Sequence, residues 1–372
     1  MTANQFHWLI VIISSLFLSC SESTVESSAN HSKNLSKSRF IAGSNYVVKE
    51  TFDVGKNVFV RSLSLNEVTN TIWVGTSVGA LMVDINTSSV AKTITRTNGL
   101  ANEYVFAIFN DKQGTTWFGT NGGGVSTTYQ NQWKTYFPMH GLADYWVYSF
   151  AEQENEAMWI GTWAGLSKYN YQTKLFTNYV KELVNEWVYG LAVDSKNHVW
   201  VGTEGGVNMF NGKQWYVWTH KDGLGAENFQ KLDNSTNTGL GTRSRHNLSV
   251  LVNGVESYNP NYVFCIVVDE KDRVWAGTWG GGVSYYDGTT WKNLTTAQGL
   301  AGNIVYSMTI DSKGVYWFGT NKGVSRYDGI HWQNYGTAQG LLDQHVYALA
   351  ATKSGQIWAG TRHGVAVLEV NH

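Results

Sequence analysis

Four of the chain's seventeen tryptophans, Trp146, Trp163, Trp187 and Trp279, fall outside the positions most often filled by tryptophan along the chain, and the expectation is that they meet a ligand rather than fill a core. Trp146 and Trp187 each precede a Val-aromatic pair, and Trp163 and Trp279 each follow a Gly-Thr pair. Tyr104, Tyr262 and His345 stand at positions equivalent to the first two, Glu186 lies just before Trp187, and Arg362 follows another Gly-Thr. Flat rings beside carboxylate, imidazole and guanidinium groups suit a sugar. Its C–H faces are apolar and its hydroxyls need directional partners. Arg362 reads equally well as a bidentate partner for an acidic group. The alternative is that these rings cap a channel mouth and pack on one another.

Reaction chemistry is harder to place. No P-loop or His-Glu-x-x-His motif occurs. The only cysteines, Cys20 and Cys265, do not form a thiolate metal site. Glu103 and Glu186 have the type of an acid–base pair, but a hydrogen-bonding role suits them better. The expectation is a protein without a cofactor or metal, and not an enzyme.

A repeat must position these residues. Trp-x-Gly-Thr begins at Trp73, Trp117, Trp159, Trp200, Trp275, Trp317 and Trp358, at intervals of 44, 42, 41, 75, 42 and 41. Such a period in an all-β pattern marks propeller blades. A Val-aromatic pair opens each repeat, at Val58, Val105, Val147, Val188, Val263, Val305 and Val346. A turn of the type Asp311-Ser312-Lys313-Gly314 follows, then the Trp-x-Gly-Thr strand and a third strand such as Gly323–Tyr327. Asp328-Gly329 signals the hairpin to a fourth strand at His331–Tyr335. We call the four a, b, c and d.

The last repeat stops after strand c, and Tyr46–Phe52 stands where its strand d could come from. Pairing the two termini closes the ring and removes exposed sheet edges. The reading is an all-β, seven-bladed propeller of four-stranded antiparallel blades over residues 46–370. It places the start of strand a and the end of strand b on one face, so the four tryptophans cluster over blades three to five. It also places Trp275 and Trp291 in the architecture and Trp279 at the surface. The long interval holds an insertion at about residues 226–260, whose Arg243, Arg245 and His246 are candidate donors to a ligand. The alternative for it is a surface excursion without a role.

The ends and totals set the compartment. Trp8 to Leu18 is an apolar run too short for a bilayer core, which needs about 20 helical residues. It suits a secretory h-region. Residues 1–19 read as a signal peptide of the lipoprotein type, with Cys20 as the lipidated residue, although Phe17 and the lack of Lys or Arg in the n-region depart from that pattern. Residues 20–45, rich in Ser and Asn, read as a flexible tether. A net charge of −1 gives no electrostatic case for nucleic acid.

The motif Trp-x-Gly-Thr-x-x-Gly-(Val/Leu)-Ser-x-Tyr, with Gly-Leu before the next strand a, resembles the two-component regulator propeller repeat. The resemblance covers residues 46–370. It implies an extracytoplasmic sensor domain of a kind often fused to a histidine kinase, several of which recognise oligosaccharides. The sequence continues into no kinase, so the expectation is a stand-alone lipoprotein form. It would bind an oligosaccharide or other small solute and signal through a separate envelope partner. Its only membrane contact would be a lipid anchor in the outer membrane, facing the periplasm or exterior. The alternatives are a protein-docking or assembly scaffold and a propeller lyase or hydrolase. The Asp-to-Trp spacing is shorter than in the pyrroloquinoline quinone propeller repeat, and no metal and base constellation of the streptogramin lyase kind can be placed.

Overall fold

A computed structural model describes residues 46–55, 58–235 and 256–371. The signal segment, the tether, Cys20 and the insertion residues Arg243, Arg245 and His246 lie outside the described residues.

The described residues form seven four-stranded sheets, each an antiparallel meander. Blade 6 shows the unit: Val305–Ile310, Tyr316–Thr320, Gly323–Tyr327 and Trp332–Tyr335 are strands a to d. Strands a of the blades begin at Val60, Val105, Val147, Val188, Asn259, Val305 and Val346, and those of neighbouring blades contact one another around the axis. Blade 7 draws its outer strand from the other end of the chain. Tyr46–Phe52 pairs antiparallel with Val365–Val370. The ring is therefore closed as the sequence predicts.

Each residue of the tetrapeptide has a separate structural duty. The tryptophan packs between blades: the Trp73 ring meets Phe118 of blade 2 edge-on at 5.3 Å, and Trp358 is buried with Val60 and Val74 of blade 1. Several of these indoles are also tethered. Nε1–H of Trp117, Trp200, Trp275 and Trp317 donates to the turn aspartate six residues earlier, at 2.8–3.0 Å. The glycine leaves room for the next blade. A Cβ on Gly119 would lie 2.6 Å from Val147 Cγ1. The threonine closes the turn between strands b and c, as when Thr162 Oγ1 donates to Gly165 O at 2.7 Å, and all seven threonines make this bond. A chain that repeats these four residues repeats the blade.

One register differs from the sequence reading. In every blade the valine that opens the axial ladder pairs with the threonine of Trp-x-Gly-Thr, as Val105 does with Thr120. In blade 1 that valine is Val60, paired with Thr76, and not Val58. The first hairpin of blade 1 turns in residues 67–70, after a ladder one pair longer than that of blade 2. This moves the motif two positions along from the look-alike Val58-Phe59.

Candidate ligand site at the channel mouth

A bulge follows each of these valines, so the next residue has no ladder partner. Bulges re-aim side chains, and here the seven bulged residues meet around the axis. They are Arg61, Phe106, Tyr148, Tyr189, Phe264, Tyr306 and Tyr347. Ring centroids lie 4.9 Å apart for Phe106–Tyr148, 5.0 Å for Tyr148–Tyr189 and 6.1 Å for Tyr189–Phe264. They lie 5.5 Å apart for Phe264–Tyr306 and 5.0 Å for Tyr306–Tyr347. The Arg61 guanidinium closes the circle, 5.0 Å from the Tyr347 centroid and 5.6 Å from that of Phe106. Six aromatic rings and one cation thus surround the axis. Burial pushes the phenols of Tyr148, Tyr189, Tyr262 and Tyr306 well above their ordinary range, and that of Tyr347 to about 12. All remain neutral hydrogen-bonding groups at physiological pH.

A second tier sits on this circle. It contains Phe59, Tyr104, Trp146, Trp187, Tyr262, Ile304 and His345 at the head of strand a, and Ser77, Asn121, Trp163, Glu204, Trp279, Asn321 and Arg362 after Gly-Thr. Asx-type turns fix several of the first set. The N–H groups of Tyr104, Trp146, Trp187 and His345 donate to the side chains of Asn102, Asp144, Asn185 and Asp343, at 2.7–2.9 Å. One short polar residue two positions upstream therefore aims each ring.

The four tryptophans come together as the sequence predicts. Trp163 lies 5.1 Å from Trp146 and 4.5 Å from Trp187, and Trp279 stacks on Tyr262 at 5.7 Å and 12°. They share one cluster with Tyr189 and Ile304, flanked by Tyr148, Phe264 and Tyr306. Their exposure differs from the expectation. Trp187 is 1% exposed, Trp163 4% and Trp279 5%, and only Trp146 is half-buried. Rings at this spacing cover one another, and Trp279 has a further cover. Its indole N–H donates to Ser257 Oγ at 2.8 Å, and Ser257 belongs to the returning end of the insertion. Trp279 is therefore not a surface residue. The insertion's ends are joined there, with Ser235 N–H donating to Tyr258 O and Tyr258 N–H to Asp233 O.

The remaining predicted residues divide by location. Tyr104 packs tilted against Phe106 at 4.8 Å and Tyr262 stacks over Phe264 at 4.3 Å, which ties both to the axial circle. His345 lies over Tyr347 at 6.2 Å with its Nδ1 3.0 Å from Asp343 Oδ1. Arg362 holds its guanidinium 5.3 Å from the Phe59 centroid, and its Nε is buried without a hydrogen-bond partner. Glu186 contributes a carbonyl that accepts the Gly165 N–H at 2.8 Å.

Two further polar residues stand at the mouth, Glu204, which the sequence places beside the rings because it follows Gly-Thr, and Arg61, which the sequence reading misses. Glu204 is 4% exposed and both its carboxyl oxygens lack a hydrogen-bond partner. Burial pushes its pKa up to about 8, so the acid is largely protonated at neutral pH. Its place after Gly-Thr is a usable signal, but its isolation is not. Arg61 is the second, hidden by the blade 1 register. Counting back from Trp73 exposes it. The other six valines stand twelve residues before their tryptophan and Val60 thirteen, whereas Val58 stands fifteen before it. Among the described residues no group of three or more His, Cys, Asp or Glu is arranged to hold a metal ion.

Fold and site together define a seven-bladed β-propeller with an aromatic channel mouth. The family described as two component regulator propeller matches residues 99–122, 182–205, 257–280, 299–322 and 340–363. The chain thus carries the two component regulator propeller repeat in five of its seven blades. A search of curated proteins returned no match. Among solved structures, the extracellular domain of a hybrid two component system from B. thetaiotaomicron superposes over 88% of this chain with a TM-score of 0.68 and 19% identity. A streptogramin B lyase superposes over 88% of this chain and 98% of its own, with a TM-score of 0.64 and 12% identity. Virginiamycin B lyase from Staphylococcus aureus gives a TM-score of 0.64 at 9% identity over 88% of this chain and 100% of its own. These likenesses establish the architecture. The chain spans 41% of the length of the B. thetaiotaomicron domain.

Proposed function

We propose that this propeller is an exported sensor that binds an oligosaccharide or similar small solute at the aromatic channel mouth and passes the signal to a partner protein. One observation carries the reading. Blades 3 to 5 bring Trp146, Trp163, Trp187 and Trp279 into a single cluster with Tyr262, with Glu204 in the same tier and the axial tyrosines Tyr148, Tyr189 and Tyr306 packed against the rings. Aromatic surface next to hydroxyl and carboxyl groups is the chemistry of sugar recognition. Trp146 is the accessible ring, and the buried rings hold it in place.

The family supports a sensing role, because the superposed domain is an extracellular part of a two component system. Export, and anchoring to the outer membrane through Cys20, belong to the same proposal. No helix among the described residues is long and apolar enough to cross a membrane. Fold likeness to the lyases carries no activity by itself.

The test is a thermal-shift screen of the purified protein against oligosaccharides of different backbone and charge. A ligand at about 100 times its dissociation constant should stabilise the fold by roughly 2.7 kcal/mol. A response lost in Trp146→Ala supports the site. If a broad panel gives no response while an envelope protein co-purifies with the propeller, the docking-scaffold reading replaces this one.

A further inference from the structure

The axial circle is interrupted in one blade only. Six blades place an aromatic ring at the bulge after the recurring valine, and blade 1 places Arg61 there. A half-buried guanidinium normally finds a carboxylate, because leaving such a charge without one is unfavourable. Among the described residues Arg61 makes no hydrogen bond and no ion pair. Its contacts are the faces of Phe106 and Tyr347.

Arg362 is a second such cation at the same corner. It lies over Phe59, whose ring is 6.3 Å from that of Tyr347, and its Nε has no partner. It too forms no ion pair among the described residues.

The nearby acids are engaged elsewhere or uncharged. Asp343 is taken by His345 at 3.0 Å and His363 at 3.6 Å. Glu256 accepts from Lys322 at 2.6 Å and Asn321 at 3.3 Å. Glu204, by its burial, carries little charge at neutral pH. Residues 236–255 of the insertion contain no Asp or Glu in the sequence.

We infer that Arg61 and Arg362 together seat an anionic group, a carboxylate or sulfate, of the ligand taken at the channel mouth. This rests on the site proposed above and narrows its ligand to an acidic saccharide. The two guanidiniums supply forked N–H donors that match paired anionic oxygens. Trp146, the accessible ring of the blade 3 to 5 cluster, faces the sugar body. The aromatic floor under each cation leaves its N–H edge free for the anion while the π face steadies the charge.

The test uses the purified protein and three trisaccharide probes: trigalacturonate, its neutral methyl ester, and a sulfated trigalactose. Affinities are measured by calorimetry at low and high NaCl. At least one acidic probe should bind more tightly than the ester and weaken with salt. R61Q should weaken that probe by about tenfold or more, the scale of a lost charged hydrogen bond, and leave the ester within about twofold. The preference between galacturonate and sulfate identifies the anion. Equal affinity for acid and ester, or an unchanged affinity in R61Q, overturns the inference and leaves the proposed site standing if Trp146→Ala still abolishes binding. No response to any saccharide, neutral ones included, overturns both. A second readout needs no ligand. R61Y restores the ring that the other six blades carry, so it should raise the melting temperature. A lowered melting temperature would make Arg61 structural and end the proposal.

Discussion

Trp163 lies 4.5 Å from Trp187, ring centre to ring centre, and both are almost wholly buried although they sit on the open face of the propeller. The pair behaves as a small core at the surface. It separates two roles that look alike in the sequence. Trp187→Ala deletes a side chain 1% exposed and should cost about 3–5 kcal/mol of stability. Trp146→Ala, at the half-buried end of the same cluster, should cost far less and act on ligand affinity. Denaturant unfolding of the two variants checks the difference. Equal stability losses would make Trp146 core as well.

Glu204 should give the protein a pH-dependent stability. Its folded pKa, about 8, lies above the ordinary glutamate value of 4.5 because burial disfavours the charge. The folded state therefore holds a proton that the unfolded state releases. Stability falls as pH rises from about 4.5 through about 8 and levels off above that. Glu204→Gln removes this slope and should stabilise the protein at pH 8 by on the order of a few kcal/mol. Melting curves of both forms from pH 5 to pH 8.5 test it. Parallel curves would mean the carboxyl is not isolated.

Gly119 illustrates the packing limit at the axis. A Cβ there would meet Val147 Cγ1 at 2.6 Å and Val147 O at 3.0 Å. Gly119→Ala should cost about 1–3 kcal/mol, the range for overpacking a well-filled core. Thermal unfolding reads it. A neutral result would show that neighbouring blades can slide apart.

Ring closure should be essential. Removing residues 46–52 strips the outer strand from blade 7, with Phe52 from Trp358 and Tyr46 from Trp317, at 5.7 and 4.7 Å. The uncovered Val365–Val370 edge then invites pairing between chains. Size-exclusion chromatography should show aggregates. A stable monomer would contradict the closure.

The blade count and the closure were legible because Trp-x-Gly-Thr performs the same packing, spacing and turn-closing work in every blade, and the sequence repeats it. The clustering of Trp146, Trp163, Trp187 and Trp279 was legible for the same reason, since strand alternation assigns a face to each position. Their burial was not. Trp279 is covered by Ser257, supplied by an insertion outside the repeat, and Trp163 and Trp187 are covered by each other. Repeat position gives direction, and cover depends on neighbours that the repeat does not encode. Arg61 was hard to read for a local reason. Val58-Phe59 imitates the motif and draws the reading away from Val60, which the count back from Trp73 favours and the Val60–Thr76 pairing fixes.

The most direct measurement is a calorimetric titration of the wild-type protein and Trp146→Ala with whichever oligosaccharide gives the largest thermal shift. The account predicts measurable binding by the wild type, and in Trp146→Ala a dissociation constant raised by about tenfold or more with little change in the melting temperature of the free protein, the loss expected when an aromatic contact is removed. Unchanged affinity in Trp146→Ala would contradict the account, because the ligand would then be held somewhere other than the channel mouth.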